Sequence, residues 1–231
     1  AQNFAALGGN VVLCDVNEPV LTEKVAEINA KGVGRAIGVL CDVRDYAQVC
    51  AARDTAVEAF GSIDVLINNA QASASGVSLA DHTTEQFNLA MYSGLYATFY
   101  YMKACYPYLA KTKGSVINFA SGAGLSGNFG QSAYAAAKEG IRGMSRVAAT
   151  EWGKDGINVN VICPLAWTAQ LENWANAYPE AFKANVHMPP MGHFGDVELE
   201  IGRACVALTS PDLKYMTGET LTLEGGLGLR P

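Results

Sequence analysis

Charge is scarce in this 231-residue chain: 16% of its residues are Asp, Glu, Lys or Arg, while half are hydrophobic. That balance excludes a disordered protein and implies a compact globular one. The basic residues are the scarcer kind, 16 Lys and Arg against 22 Asp and Glu, and the net charge of −6 excludes the electrostatic footprint of a nucleic-acid binder. No apolar run approaches the roughly 20 residues that a membrane-crossing helix needs, so no membrane partner is expected. No secretory leader pattern is visible. Histidine occurs three times and never at ligand spacing from a cysteine, so no metal site is expected. The six cysteines form no C-x-x-C pair, and several fall in apolar stretches, which reads as buried free thiols in a reducing cytoplasm. Repeats, low-complexity tracts and linkers are also missing. The length then suits one domain over residues 1–231.

What is present is an alternation. Apolar runs of strand length stand at 11–13, 36–40, 65–67, 116–119, 159–162 and 220–223. Between them Leu21, Val25 and Ile28 recur at helical spacing, as do Val49, Val57 and Phe60. Strand–helix alternation predicts an α/β fold with a doubly wound parallel sheet covered on both faces. Ligands bind such sheets beyond the carboxyl ends of the strands. Asp15, Asp42, Asn68 and Ser121 all follow strand-like runs. A long helix is expected over 84–109, with Tyr92, Tyr96, Phe99 and Lys103 along one side. A stripe of that kind belongs to a core or to a subunit interface more often than to a cofactor site.

The chemistry concentrates in SVINFAS, followed after 12 residues by YAAAK. Ser121 falls just beyond a strand-like run, and Tyr134 and Lys138 lie four apart on an Ala-rich helix, hence on one face of it. Y-x-x-x-K pairs also occur on solvated helix faces; the serine at a strand end sets this one apart. An ammonium near a phenol favours the phenolate and is expected to lower the tyrosine pKa. With a serine hydroxyl to hold the reacting oxygen, the three form a proton-transfer site for interconverting an alcohol and a ketone.

At these residues the chain resembles the short-chain dehydrogenase/reductase family, and the resemblance runs along nearly its whole length. It implies a Rossmann-type sheet in which Tyr134 is the acid/base, Ser121 positions the substrate oxygen, and Lys138 bonds the nicotinamide ribose and relays protons. Asp15 matches the carboxylate that binds the adenosine ribose. Since Val16, Asn17 and Glu18 follow it rather than a cation, NAD is expected over NADP. A turn or helix-cap aspartate is the structural alternative. Asp42 with Val43 resembles the family segment at the adenine ring, and Asn68-Asn69-Ala70 resembles the NNAG motif, with Gln71 in place of its glycine. Pro164 resembles the start of the family PG motif, with Leu165 at the glycine position. Thr168 matches the threonine at the nicotinamide carboxamide, or else caps the following helix. The asparagine many members carry in the long helix is replaced by Gly94, which could kink the helix or leave room for relay water. Asn88 is too far along the helix to replace it.

Two further expectations come from the resemblance. A glycine-rich loop belongs about 20 residues before Asp15, ahead of Ala1, so the first strand and that loop are expected to be absent from this sequence, because the native polypeptide is longer or, alternatively, because the protein is truncated and does not bind a dinucleotide in the usual way. The long helix and the Tyr134 helix, with Ala135, Ala136, Ala137, Gly140 and Gly143, are expected to pack in a homotetramer.

Segment 167–191 is expected to form a substrate lid, with Trp167 and Trp174 as substrate contacts beside Leu171, Tyr178, Phe182, Val186, Met188 and Met191. Its cations are few, Lys183 and His187, so the wall suits a bulky apolar alcohol or ketone better than a sugar or phosphate ester. SGLYATFYYMKACYPYL and INFASGAGLSGN resemble bacterial hydroxysteroid dehydrogenases acting on bile acids, with the 12α position as the finer expectation. The alternatives are another secondary alcohol, a 3-oxoacyl substrate, or a non-catalytic dinucleotide-binding scaffold.

Overall fold

The computed structural model describes residues 1–177 and 179–228. Helix α1 (Gln2–Ala6) leads into β1 (Val11–Asp15), α2 (Glu18–Ala30), β2 (Ala36–Leu40), α3 (Tyr46–Phe60) and β3 (Val65–Asn68). Next come α4 (Thr84–Ala90), a π-helical turn (Met91–Tyr96) and α5 (Ala97–Thr112), which form one continuous helix. Strand β4 (Ser115–Phe119), α6 (Gly122–Ser126), α7 (Ser132–Trp152) and β5 (Asn158–Pro164) follow. The remainder comprises α8 (Ala169–Ala177), α9 (Pro179–Asn185), a second π-helical turn (Val197–Gly202), α10 (Arg203–Leu208) and β6 (Thr220–Leu223).

Local chemistry fixes the helix starts. Asn17 accepts from the Val20 N–H at the head of α2, and Asp45 does so from Ala47 at the head of α3. Thr83 and Gln86 form a reciprocal capping box that opens α4. The expected long helix is present, and it runs to Thr112 through Pro107.

All strand pairs are parallel, as expected from the strand–helix alternation. They divide into a two-stranded sheet, β1–β2, and a four-stranded sheet ordered β3–β4–β5–β6. Strands β4 and β5 lie inside the larger sheet and are buried along almost their whole length, which is why they read as unbroken apolar runs. The two sheets are joined by side-chain packing of α3 and α5: Cys41, Val49, Ala52 and Ala104 form one cluster, with Cys14 and Tyr101 against it. The largest cluster packs Leu66, Val116 and Val159 of the sheet against Leu109, Met102 and Ala148 of α5 and α7.

A polar chain crosses the core. Asn68 donates to Asn118 Oδ1 at 2.8 Å, across the register pair of β3 and β4, and Asn118 donates to Ser145 Oγ of α7 at 2.8 Å. Ser145 in turn donates to the Ile141 carbonyl. All six cysteines are free; four are buried, and Cys14 and Cys50 are partly so. Among the described residues no helix is long and apolar enough to cross a membrane, and no group of His, Cys, Asp and Glu is placed to hold a metal.

Candidate active site

Strand β4 delivers the chain to Ser121 in extended conformation, where the hydroxyl caps α6 by accepting from the Ala123 N–H at 3.2 Å. Helix α7 places Tyr134 and Lys138 one turn apart, as their spacing predicts. The Lys138 Nζ lies 5.5 Å from the Tyr134 ring centroid and donates to the Phe119 carbonyl at 2.7 Å. Ser121 and the Tyr134 phenol share a side-chain hydrogen bond. The three residues named from the sequence therefore meet at the end of β4.

The electrostatics differ from the expected direction. Burial raises the Tyr134 pKa; the hydrogen bond from Ser121 works against that rise, and the nearby Cys163 adds to it. The expected fall beside an ammonium is thus overturned here. Desolvation of the phenolate is the largest effect, and the ammonium is directed at a backbone carbonyl. Lys138 is itself only 3% exposed, and burial brings it down to about 8, with Cys163 acting in the opposite sense. Cys163, fully buried on β5, thus faces both titrating groups, a placement that its position in an apolar strand does not disclose.

The residues expected to hold a dinucleotide stand mostly at strand ends. Asp15 ends β1 and is exposed; one carboxylate oxygen accepts from the Asn17 N–H at 2.9 Å, as in the turn alternative. Asp42, just after β2, is clasped by Arg44, which lowers its pKa. Val43 beside it is half-buried, and a hollow of about 640 Å³ opens between Asp42, Arg44 and the α4 side chains Glu85 and Asn88. Asn69 and Ala70 are exposed beyond β3, whereas Asn68 is committed to Asn118. Pro164 closes β5. Leu165 takes no left-handed backbone, bonds the Leu223 carbonyl and accepts from Gly195, so this position makes no demand for glycine. Thr168 caps α8 by accepting from the Leu171 N–H at 3.1 Å.

The lid segment forms α8 and α9. The Trp167 ring lies 5.5 Å from Phe194 and meets Phe182 edge-on at 6.0 Å, and the Trp167 backbone N–H donates to the Gly195 carbonyl at 3.1 Å. Trp167 is 40% exposed, so it presents ring surface rather than filling core. The Trp174 side chain and Tyr178 lie outside the described residues. Two pairings escaped the sequence reading. Glu224, 8% exposed after β6, sets its carboxylate where a Cβ on Gly122, the residue next to Ser121, would fall. Gln71 does the same to Gly94.

The family model described as enoyl-(acyl carrier protein) reductase matches residues 1–228. The chain is 60% identical over 235 residues to 12alpha-hydroxysteroid dehydrogenase of a Clostridium species, covering all of this chain and 91% of the relative. The chain belongs to the short-chain dehydrogenase/reductase family. Two further relatives share less of its sequence. The 2,5-dichloro-2,5-cyclohexadiene-1,4-diol dehydrogenase of Sphingobium indicum is 36% identical over 227 residues, covering 98% of this chain and 89% of the relative. Trans-4-hydroxycyclohexanecarboxylate dehydrogenase of Sinomonas cyclohexanicum is 36% identical over 232 residues, with 98% and 86% covered. This short-chain dehydrogenase/reductase is an oxidoreductase acting on CH–OH groups, in a family that uses NAD(H) or NADP(H).

Proposed function

We propose that the chain is an NAD-dependent hydroxysteroid dehydrogenase that interconverts a bile-acid hydroxyl, at the 12α position, and the ketone. The observation that carries this reading is the hydrogen-bonded Ser121–Tyr134 pair with a buried Lys138 behind it, in a chain 60% identical to a 12alpha-hydroxysteroid dehydrogenase. The three relatives named above all carry, by name, a ring alcohol or a ring diol. The apolar lid supports a bulky substrate of this kind.

The nicotinamide supplies the hydride acceptor or donor; the protein handles the proton. Ser121 and Tyr134 hold the substrate oxygen between them. In the oxidation direction Tyr134, as phenolate, accepts the hydroxyl proton while the carbinol hydrogen leaves as hydride. Lys138 keeps a positive charge beneath the phenol and bonds the nicotinamide ribose. Asp15 retains a carboxylate oxygen for the adenosine ribose and repels a 2′-phosphate, which supports NAD over NADP. Asp42, Val43, Asn69, Ala70, Pro164 and Thr168 are the remaining dinucleotide contacts, and Trp167 and Trp174 contact the substrate.

Two wider readings accompany this. The exposed stripe of Tyr92, Tyr96 and Phe99 on the long helix, with Tyr92 and Tyr96 stacked at 4.8 Å, supports a homotetramer assembled through this helix and α7. Six free thiols support a reducing, cytoplasmic setting.

The test is NADH formation from bile acids, other hydroxysteroids and simple cyclic alcohols, repeated with NADP. Oxidation of a 12α-hydroxylated bile acid with NAD, abolished in Tyr134→Phe, is the expected result. Turnover of small alcohols alone would discard the steroid and keep the mechanism.

A further inference from the structure

Glu224 directly follows β6, and its neighbours on either side hold the two feet of the lid. The Leu223 carbonyl accepts from the Leu165 N–H at 2.9 Å, where the chain leaves β5 for the lid. The Gly225 carbonyl accepts from the Met191 N–H at 3.0 Å, where the chain leaves the lid. Gly225 and Gly226 also pack directly on Pro189 and Pro190, which belong to that second foot. The Glu224 carboxylate reaches two more stretches of chain. A Cβ on Gly122 would fall on Oε1, and a Cβ on Gly228 would fall on Oε2. Neither of these glycines has a left-handed backbone, so the close carboxylate is what leaves no room for a side chain.

Glutamate is among the side chains least often buried, because desolvating its carboxylate is costly, yet Glu224 is 8% exposed. Its placement supplies a reason. Gly122 opens α6 and directly follows Ser121, whose hydroxyl caps that helix and shares a hydrogen bond with the Tyr134 phenol. A serine hydroxyl stands one carbon from its backbone, so any shift of the chain at 121–122 is passed to Oγ almost in full. An O–H···O bond spans only about 2.5–3.0 Å and does not absorb such a shift. From the strand side this corner is already pinned: Lys138 donates to the Phe119 carbonyl at 2.7 Å, and the Ala120 N–H donates to Ile162 at 2.9 Å. Glu224 meets it from the helix side.

We propose that Glu224 is a positioning residue for the reaction: its carboxylate sets the Ser121–Gly122 corner, and with it the Ser121 hydroxyl, in register with both feet of the lid. The wall that seats a bulky substrate and the hydroxyl that holds its reacting oxygen then share one anchor, residues 223–225. Glu224 acts through Ser121 rather than on the substrate. The inference rests on the reading of Ser121 and Tyr134 as the pair that holds the substrate oxygen.

The test is the pH dependence of bile-acid oxidation with NAD by the intact protein and four variants: Glu224→Ala, Gly122→Ala, Ser121→Ala and the double variant Ser121→Ala/Glu224→Ala, each first shown to be folded by its thermal melt. In Glu224→Ala the expected result is a kcat about tenfold lower or more, with KM for the dinucleotide within about twofold. The acid limb of kcat/KM is expected to move to higher pH, because a displaced Ser121 no longer favours the phenolate of Tyr134. Gly122→Ala puts a methyl group where the carboxylate rests and tests the same contact from the other side, with the same two changes expected. In the Ser121→Ala background, adding Glu224→Ala is expected to cost less than about threefold more, since the serine it acts through is gone. A folded Glu224→Ala or Gly122→Ala with the parent's kcat or the parent's acid limb overturns the proposal. So does a double variant in which the two losses simply multiply. A Ser121→Ala enzyme that keeps the parent's kcat and acid limb would instead overturn the underlying assignment of Ser121.

Discussion

Lys138 Nζ donates to the Phe119 carbonyl oxygen at 2.7 Å, so the buried ammonium of this site is paired with a neutral group. A carbonyl dipole does not offset the desolvation of a full charge, and the folded lysine falls to about 8 from an ordinary 10.5. The unfolded chain therefore binds this proton more tightly than the folded one. Below about pH 8 the destabilisation is fully present, on the order of 3 kcal/mol, and it fades as pH rises towards the ordinary lysine value. Lys138→Met is expected to melt at a higher temperature than the parent near neutral pH, by an amount that shrinks in alkali, while losing turnover. Thermal melts across that range check this; a variant that melts lower at neutral pH contradicts it.

The Ser121 hydrogen bond lowers the Tyr134 pKa against the rise caused by burial. Removing it in Ser121→Ala should move the acid limb of kcat/KM for alcohol oxidation to higher pH, since the phenolate then forms later. In the ketone-reducing direction the protonated phenol persists to higher pH. A pH–rate series in both directions measures the shift, and an unmoved or downward limb would refute the assignment.

Asn118 joins β3, β4 and α7 through its amide. In Asn118→Leu the buried Asn68 donor loses its acceptor and Ser145 loses a donor. The expected cost is about 2–4 kcal/mol, read as a lower midpoint in denaturant unfolding with an unchanged slope.

Phe194 backs the Trp167 and Phe182 rings. Phe194→Ala should loosen the lid wall. We expect KM for a hydroxysteroid to rise about tenfold and that for a simple cyclic alcohol to move less than about twofold. Equal effects on both substrates would place Phe194 in general stability rather than in steroid recognition.

The strands were legible because parallel strands leave apolar runs, unbroken where both faces are buried as in β4 and β5, and every run read in the sequence is a strand extended by at most three residues. Ser121, Tyr134 and Lys138 were legible through spacing alone. The direction of the Tyr134 pKa was not, since it depends on how much water the fold removes from the ring. The π-turn was hidden as well: Met91–Tyr96 has ordinary helical composition, and its geometry comes from what packs on it. Gln71 and Gly94 stood out separately as departures from the family pattern. Only the fold shows that the larger side chain of one occupies the space left by the other.

The π-turn is also a matter of phase. It adds one residue to a turn, so α4 and α5 are read in frames offset by about 100°. One frame serves the capping box at Thr83, and the other serves the buried stripe of Ala97, Met102, Cys105 and Leu109. Deleting a single residue between Met91 and Tyr96 would bring the two frames into line as one regular helix. It would turn Gly94 away from Gln71 without altering either residue.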